Sequence, residues 1–264
     1  MKNNTISAPK FAQIMGINVS ITSVAEVLAR VNFFVSHSDK FSIVTPNSEL
    51  VLMAQDNIQL RNAMNSTDLP VPDGVGLNYA SLFLFGKPLN IIPGRKLFVE
   101  LIKLANDNKW RVFLLGGMDN EADVAGGELS KKFKTLKILS AKGPRLDKNG
   151  ELVTEADRKS YKDLIDKINK FSPQILFVAF GNPKQEIWIH NNLSKINVGG
   201  AMAVGGTFRY IAGISKLPPK WMEKFGLEWL WRLITEPFRF KRIWNAVVLF
   251  PLKVLQYKIT DSGK

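Results

Sequence analysis

Cysteine is absent from the 264 residues, which excludes disulfides, thiolate metal sites and a cysteine nucleophile. Histidine is nearly absent: His37 and His190 are too few for a histidine-rich metal site or a pair of catalytic imidazoles. Neither GxGxxG nor GxxxxGK(S/T) occurs, so a standard dinucleotide or P-loop reading loses support. There is no DxD pair of the kind that holds a divalent metal on a diphosphate. The amino terminus, MKNNTISAPKF, lacks the apolar stretch of a signal peptide. The most apolar late run, Ala246 to Leu255, is interrupted by Lys253 and falls short of the ~20 residues that span a bilayer. These absences describe a cytosolic chain that can touch a membrane without crossing it.

What is present is a packed core and an excess of positive charge. Apolar residues make up 45% and charged residues 22%, which argues against global disorder. The formal net charge is +13. Such a balance points to an anionic partner: a phosphate-bearing ligand, an anionic membrane or nucleic acid. No nucleic-acid recognition motif accompanies it, so nucleic acid is not expected. The charge is unevenly spread, because residues 216–264 hold ten lysines and arginines against four acidic residues.

Strand-like and helix-like patterns alternate along the body of the chain. Short apolar runs at Phe41–Val44, Leu69–Pro72, Trp110–Leu115, Leu136–Ser140, Ile175–Phe180 and Asn197–Val204 read as strands. Helical spacing is read over Ser48–Met64, Val75–Phe85, Glu121–Phe133 and Tyr161–Phe171. Repeated strand–loop–helix units predict an α/β fold, a Rossmann-like parallel sheet with helices on both faces. In such sheets ligands bind beyond the carboxyl ends of the strands. The turns at Thr45, Asp73, Gly116, Gly181 and Gly205 all fall there, so distant segments should converge on one site.

The pattern changes after Ser215. Pro218-Pro219 ends the alternation, and Trp221, Phe225 and Trp229 recur at helical spacing until Pro237. A second basic and apolar segment runs from Phe238 to Tyr257. The expected division is a Rossmann-like domain over 1–215 and a small helical appendage over 216–264. An aromatic stripe of this kind serves core packing or self-association. Here Lys216, Lys220, Lys224, Arg232, Arg239, Lys241 and Arg242 flank it, a composition that suits a peripheral membrane anchor.

Several strand-end residues have a chemical reading beside a structural one. Asp73, followed by Gly74, is either plain turn chemistry or a carboxylate placed to accept a proton. Thr45 and Asn47 are caps, or polar ligands for a sugar or base. Gly116-Gly117 brings backbone amides near a helix start, which suits a phosphate, although such pairs also make ordinary tight turns. In Gly181-Asn182-Pro183-Lys184-Gln185-Glu186, Lys184 offers a cation for phosphate and Gln185 a hydrogen-bonding amide. The structural alternative is a polar helix start, with Glu186 favourable to the dipole. Gly205-Gly206 closes the last strand.

Taken together, four strings resemble the WecG/TagA/CpsF family of glycosyltransferases: TPNSELVLMAQDNIQLRNAMNSTDLPVPDGVGL (45–77), FLLGG (113–117), FVAFGNPKQEIWI (177–189) and VGGTFRYIAGISKLPPKWMEKFGLEWLWRLITEPFRFKRIW (204–244). The likeness runs in order from about residue 14 to residue 250. It implies an inverting transfer from a UDP-sugar donor, carrying N-acetylmannosamine or a related sugar or uronic acid. The implied acceptor is a polyprenyl-diphosphate-linked saccharide such as a GlcNAc lipid, in cell-surface polysaccharide synthesis. It implies Asp73 as catalytic base with Thr45 and Gln185 beside it, and neither a metal nor another cofactor. The appendage is implied to hold the enzyme on the inner face of the cell membrane and to complete the site. Because no DxD is present, cations must meet the charge of the departing UDP, and Arg232, Arg239 and Arg242 are the candidates.

The sequence departs from the family at three places. An Arg-x-x-Gly-x-Asp pattern is replaced by Ile91 to Lys96, so the charges at Ile91 and Lys96 differ and Arg95 stands as a shifted substitute. Arg209 occupies a position where the family commonly has Asp. An alternative therefore stays open: a non-catalytic nucleotide-sugar-binding scaffold of a polysaccharide assembly complex. The apolar tail leaves homo-oligomerisation open as well.

Overall fold

The computed structural model describes residues 10–261. Residues 1–9, on which the reading of the amino terminus largely rests, and 262–264 lie outside the described residues. In chain order the elements are β1 (Lys10–Ile14), β2 (Ile17–Ile21), α1 (Val24–His37), β3 (Phe41–Val44), α2 (Ser48–Asp56), α3 (Ile58–Asn65), β4 (Leu69–Pro70) and α4 (Val75–Phe85). There follow α5 (Gly94–Asp107), β5 (Arg111–Gly116), α6 (Glu121–Lys132), β6 (Lys137–Ala141), α7 (Glu155–Phe171), β7 (Ile175–Ala179), α8 (Lys184–Asn192), β8 (Gly200–Ala203) and α9 (Thr207–Ile211). The last segment holds α10 (Lys220–Lys224), α11 (Glu228–Thr235), α12 (Phe240–Trp244) and α13 (Phe250–Asp261), with a π-helical turn joining the last two.

Strands β4-β3-β8-β7-β5-β6 form a six-stranded sheet, parallel throughout its registers. Successive side chains of a strand face opposite sides, and the central strands use this to fill two cores. Val112 and Leu114 of β5, with Ile175 and Phe177 of β7, pack in one core against α5 and α6. Phe113, Leu115, Leu176 and Val178 pack in the other against α7 and α8. Both faces are buried, which is why ILFVA reads as an uninterrupted apolar run.

A third core lies at the β4 edge. The β1–β2 hairpin turns at Met15-Gly16, both with positive φ (50° and 77°), as a tight hairpin turn requires. Its Ile14, Ile17 and Val19 join Leu50, Val51, Leu60 and Leu77, and Ser20 Oγ donates to the Pro70 carbonyl at 2.7 Å. Phe250 and Val254 of α13 are buried in the same cluster, so the end of the chain folds back on the body.

Two expected helices are broken. The helix expected over Ser48–Met64 divides at Asn57, whose side chain accepts from Leu60 N at 3.0 Å and caps α3, as Asn47 caps α2 through Leu50 N at 3.0 Å. A residue that suits one cap suits a second, and extended backbone at Asn57 interrupts the helical ladder. The aromatic stripe likewise spans two helices, α10 and α11, because Gly226 adopts φ +69°. A Cβ there would stand 2.7 Å from Val75 Cγ1, so the break is also where the last segment touches α4.

Candidate functional site

The carboxyl ends of the sheet strands open into a cleft of about 940 Å³. Thr45 follows β3, Asp73 follows β4, Gly117 follows β5, Lys142 follows β6, Gly181 follows β7 and Gly205 follows β8, and all line it. Arg232, Arg239 and Arg242 of the last segment line it too. So do Asn47, Arg95, Lys184, Gln185, Glu186 and Gly206. Two anticipated residues do not. Gly74 is the residue before α4, and Gly116 sits where a Cβ would press within 2.8 Å of Phe180 Cδ1 and 2.9 Å of the Ala179 carbonyl. Gly116 thus allows close approach of the strand ends.

Asp73 is tightly held. Its backbone N–H donates to the Pro46 carbonyl at 2.8 Å, and its Oδ2 accepts from Gly94 N at 3.2 Å. A Cβ at position 94 would stand 3.0 Å from Thr45 Oγ1 and 3.4 Å from Asp73 Oδ2. Gly94 therefore permits Thr45 and Asp73 to face one small space. Burial pushes the Asp73 carboxyl up to about 6; the Gly94 amide and Arg232 oppose this, and Glu228 adds to it. A carboxylate with this affinity is ionised at neutral pH and still basic enough to take a proton.

Gln185 is a buried joint between two loops. Its Oε1 accepts from Gly181 N (3.2 Å) and Gly205 N (3.0 Å), and its Nε2 donates to Asn182 Oδ1 (2.9 Å) and Glu186 Oε1 (2.8 Å). The amide thus ties the end of β7 to the end of β8. Glu186 is 2% exposed, and its Oε2 has no hydrogen-bond partner among the described residues. Burial pushes its carboxyl up to about 7, with Glu49 adding to the shift and Gln185 and Arg242 opposing it. Lys184 Nζ reaches the Leu146 carbonyl at 3.3 Å.

Acidic residues not anticipated from the sequence hold the cleft's cations. Glu49 grips Arg242, Glu236 pairs with Arg239, and Glu121 pairs with Arg209 at 3.1 Å. Glu121 Oε2 also accepts from Met118 N at 3.0 Å, so a carboxylate already occupies the loop before α6 where a phosphate was expected. Burial holds Arg239 below the usual arginine range; Glu236 works against this, and Arg242 and Arg232 reinforce it. Arg232 and Arg242 thus stand near enough to Arg239 to repel it, a clustering of positive charge in the lining of the cleft. Lys142 and Arg145, basic residues after β6, add positive charge to the far wall. A Lys-Gly-Pro-Arg loop at a strand's carboxyl end was the signal for them. Among the described residues, no three carboxylate or imidazole groups gather as metal ligands would.

The departures at 95 and 96 have a structural use. Arg95 Nη2 meets Glu223 and, at 2.8 Å, Glu228; Lys96 Nζ meets Glu223 at 3.0 Å. The amino end of α5 is thus latched to α10 and α11 at the rim of the cleft.

A parallel doubly wound sheet with a carboxylate and three arginines lining one cleft at its strand ends has the layout of an α/β protein whose ligand site lies beyond the carboxyl ends of the strands. The profile of the glycosyl transferase WecG/TagA/CpsF family matches residues 12–264, and the chain belongs to that family. It is 31% identical over 202 residues, covering 76% of this chain and 74% of the relative, to the N-acetylglucosaminyldiphosphoundecaprenol N-acetyl-β-D-mannosaminyltransferase of Bacillus spizizenii. To the protein of the same name from Staphylococcus aureus it is 28% identical over 247 residues, 93% of this chain and 92% of that one. The chain is a glycosyltransferase.

Proposed function

We propose that this glycosyltransferase moves N-acetylmannosamine, or a related sugar or uronic acid, from a UDP donor to a polyprenyl-diphosphate-linked GlcNAc, with inversion at the anomeric carbon. The observation that carries the reading is the Asp73 carboxyl, held beside Thr45 and Gly94, in one cleft with Arg232, Arg239 and Arg242. The names of the two relatives support the choice of sugar and acceptor.

Inversion is a single displacement. The acceptor hydroxyl oxygen attacks the anomeric carbon, its proton passes to Asp73, and the bond from that carbon to the UDP oxygen breaks with its electron pair leaving on UDP. The departing diphosphate gains negative charge, which the arginines of the last segment stabilise without a divalent ion. Closure of that segment over the cleft excludes water, which would otherwise hydrolyse the donor. Thr45 orients the reacting sugar, and Gln185 keeps the loops at Gly181 and Gly205 in register. Residues 216–264 form a peripheral anchor on the cytoplasmic face of the membrane; no helix among the described residues is long and apolar enough to cross it.

The test is UDP release from a panel of UDP-sugars, each with and without a short-chain prenyl-diphosphate-GlcNAc acceptor, in buffer with and without EDTA. Release from one donor that requires the acceptor and survives EDTA is expected. UDP binding without release, across a wide acceptor set, would favour a non-catalytic nucleotide-sugar-binding role. Strong loss with EDTA would reject the metal-free step.

A further inference from the structure

Arg209 stands where the family commonly has Asp, and its contacts reach well beyond its own helix. Its Nη1 donates to Glu121 Oε1 at 3.1 Å, at the amino end of α6, with Met118 Sδ 3.9 Å away. Its Nε donates to Ser215 Oγ at 3.3 Å. That hydroxyl donates onward to Glu236 Oε1 at 3.3 Å, and the other carboxylate oxygen of Glu236 meets Arg239 at Nε. At the near end, Glu121 Oε2 accepts from Met118 N in the loop after β5. Five side chains thus run unbroken from that loop, across α9, to an arginine of the last segment, and all five line the cleft.

The order of groups along this chain is electrostatically consistent. A guanidinium stands beside each carboxylate, and the Ser215 hydroxyl accepts on one side and donates on the other, so each bond polarises the next. Glu236 closes α11 with non-helical backbone, φ −133° and ψ 64°, just before Pro237. The helical ladder ends there, and Ser215 holds the Glu236 carboxylate from across the gap. An Asp at position 209 would instead bring a third carboxylate toward Glu121 and Glu236.

We propose that Arg209 is a positioning residue for sugar transfer: through Ser215 and Glu236 it fixes Arg239 in the cleft, joining the loop after β5 to the last segment. Arg209 itself is committed to Glu121 and Ser215, so it serves the substrate through Arg239 and not by direct contact. The inference rests on the reading of Arg239 as a group that meets the diphosphate of the donor.

The experiment is a double-mutant cycle in the full chain, with Arg209→Ala and Arg239→Ala singly and together, read as kcat/KM for the donor and as UDP affinity by calorimetry. Arg209→Ala is expected to lower kcat/KM about 10-fold when Arg239 is present, and less than about 2-fold when position 239 is already Ala. Arg209→Asp is expected to lose more than Arg209→Ala, because it sets carboxylates against one another. An equal loss from Arg209→Ala in both backgrounds overturns the inference, since a merely structural role does not depend on Arg239. Activity equal to wild type in Arg209→Ala or in Arg239→Ala overturns it too. Should Arg209→Ala fold poorly, Ser215→Ala removes only the bridging hydroxyl and is read in the same cycle by the same criterion. A wild type that binds UDP and transfers no sugar sinks the activity reading. The cycle in UDP affinity then decides by itself: a loss confined to the background with Arg239 supports the inference, and equal losses overturn it.

Discussion

Arg242 and Glu49 meet through two hydrogen bonds, 2.6 and 2.9 Å, across 193 positions of sequence. The pair ties α12 to the first turn of α2 at the edge of the cleft. Arg239 and Arg209 have comparable partners in Glu236 and Glu121. Arg232 differs: among the described residues it forms no ion pair, and its guanidinium lies 5.8 Å from the Tyr210 ring centroid. In the proposed reaction it is thus the arginine of this group that an incoming diphosphate would meet without first displacing a carboxylate. Arg232→Ala is expected to lower kcat/KM for the donor roughly 10- to 100-fold, the worth of one charge-assisted hydrogen bond. Glu49→Gln, which keeps the shape and frees Arg242, is expected to cost much less. Steady-state kinetics on the two variants checks the contrast, and equal losses would refute it.

Asp73 must be ionised to act as the base. Because its carboxyl is pushed up to about 6, kcat/KM should rise as pH increases through that value and then level off. Asp73→Asn should cut transfer by about 10²- to 10⁴-fold or more while leaving UDP affinity within a few-fold of wild type. A pH–rate profile with calorimetric titration of UDP tests both. Surviving transfer in the variant would remove Asp73 from the role.

Glu186 carries a stability prediction of definite sign. Burial pushes its carboxyl up to about 7 in the folded state, from an ordinary value of 4.5. The folded state therefore holds a proton that the unfolded state releases between these pH values, and stability falls as pH rises from 4.5 to 7. Groups acting on it are Gln185 on its own helix, Glu49 from α2 and Arg242 from α12. Glu186→Gln removes the ionisation, so above pH 7 the variant should be more stable than wild type, by about 3 kcal/mol at most. Below pH 4.5 the two should converge. Thermal unfolding across this range measures it, and a pH-independent difference would show that the carboxyl titrates at its ordinary value.

Gly226 holds the last segment against the body. A side chain there is strained at φ +69° and meets Val75. Gly226→Ala should destabilise the fold by about 1–3 kcal/mol, and the damage should fall on α10 and α11, which Arg95 and Lys96 latch to α5. Hydrogen exchange should speed up over residues 220–235 and leave β5 and β7 unchanged.

Much of the fold could be read locally. Strand burial on two faces demands an apolar run, as in Ile175–Ala179, and strand ends need turn residues, so Thr45, Asp73, Gly181 and Gly205 are legible as strand ends from local sequence. The Asn47 cap was legible for the same reason, since a side-chain oxygen before a helix answers an orphan amide. The hairpin β1–β2 and helices α1 and α5 were not among the elements expected. In α5 the signal was present, with Leu97, Phe98, Leu101, Ile102 and Ala105 at helical spacing. In the hairpin it was weak, because the strands are short and half-exposed.

Sequence by itself determined which residue types stand at the carboxyl ends of the strands, and with them the family. It did so because turns, caps and alternating burial are dictated within a few residues. Only the tertiary structure decided which charges meet: Arg242 with Glu49, Arg209 with Glu121, Arg95 with Glu223 and Glu228. It also decided that β7 inserts between β5 and β8, where Gln185 can join two loops. Such pairings depend on how distant segments close on one another, and electrostatic and hydrogen-bond partners are chosen by that closure rather than by sequence spacing.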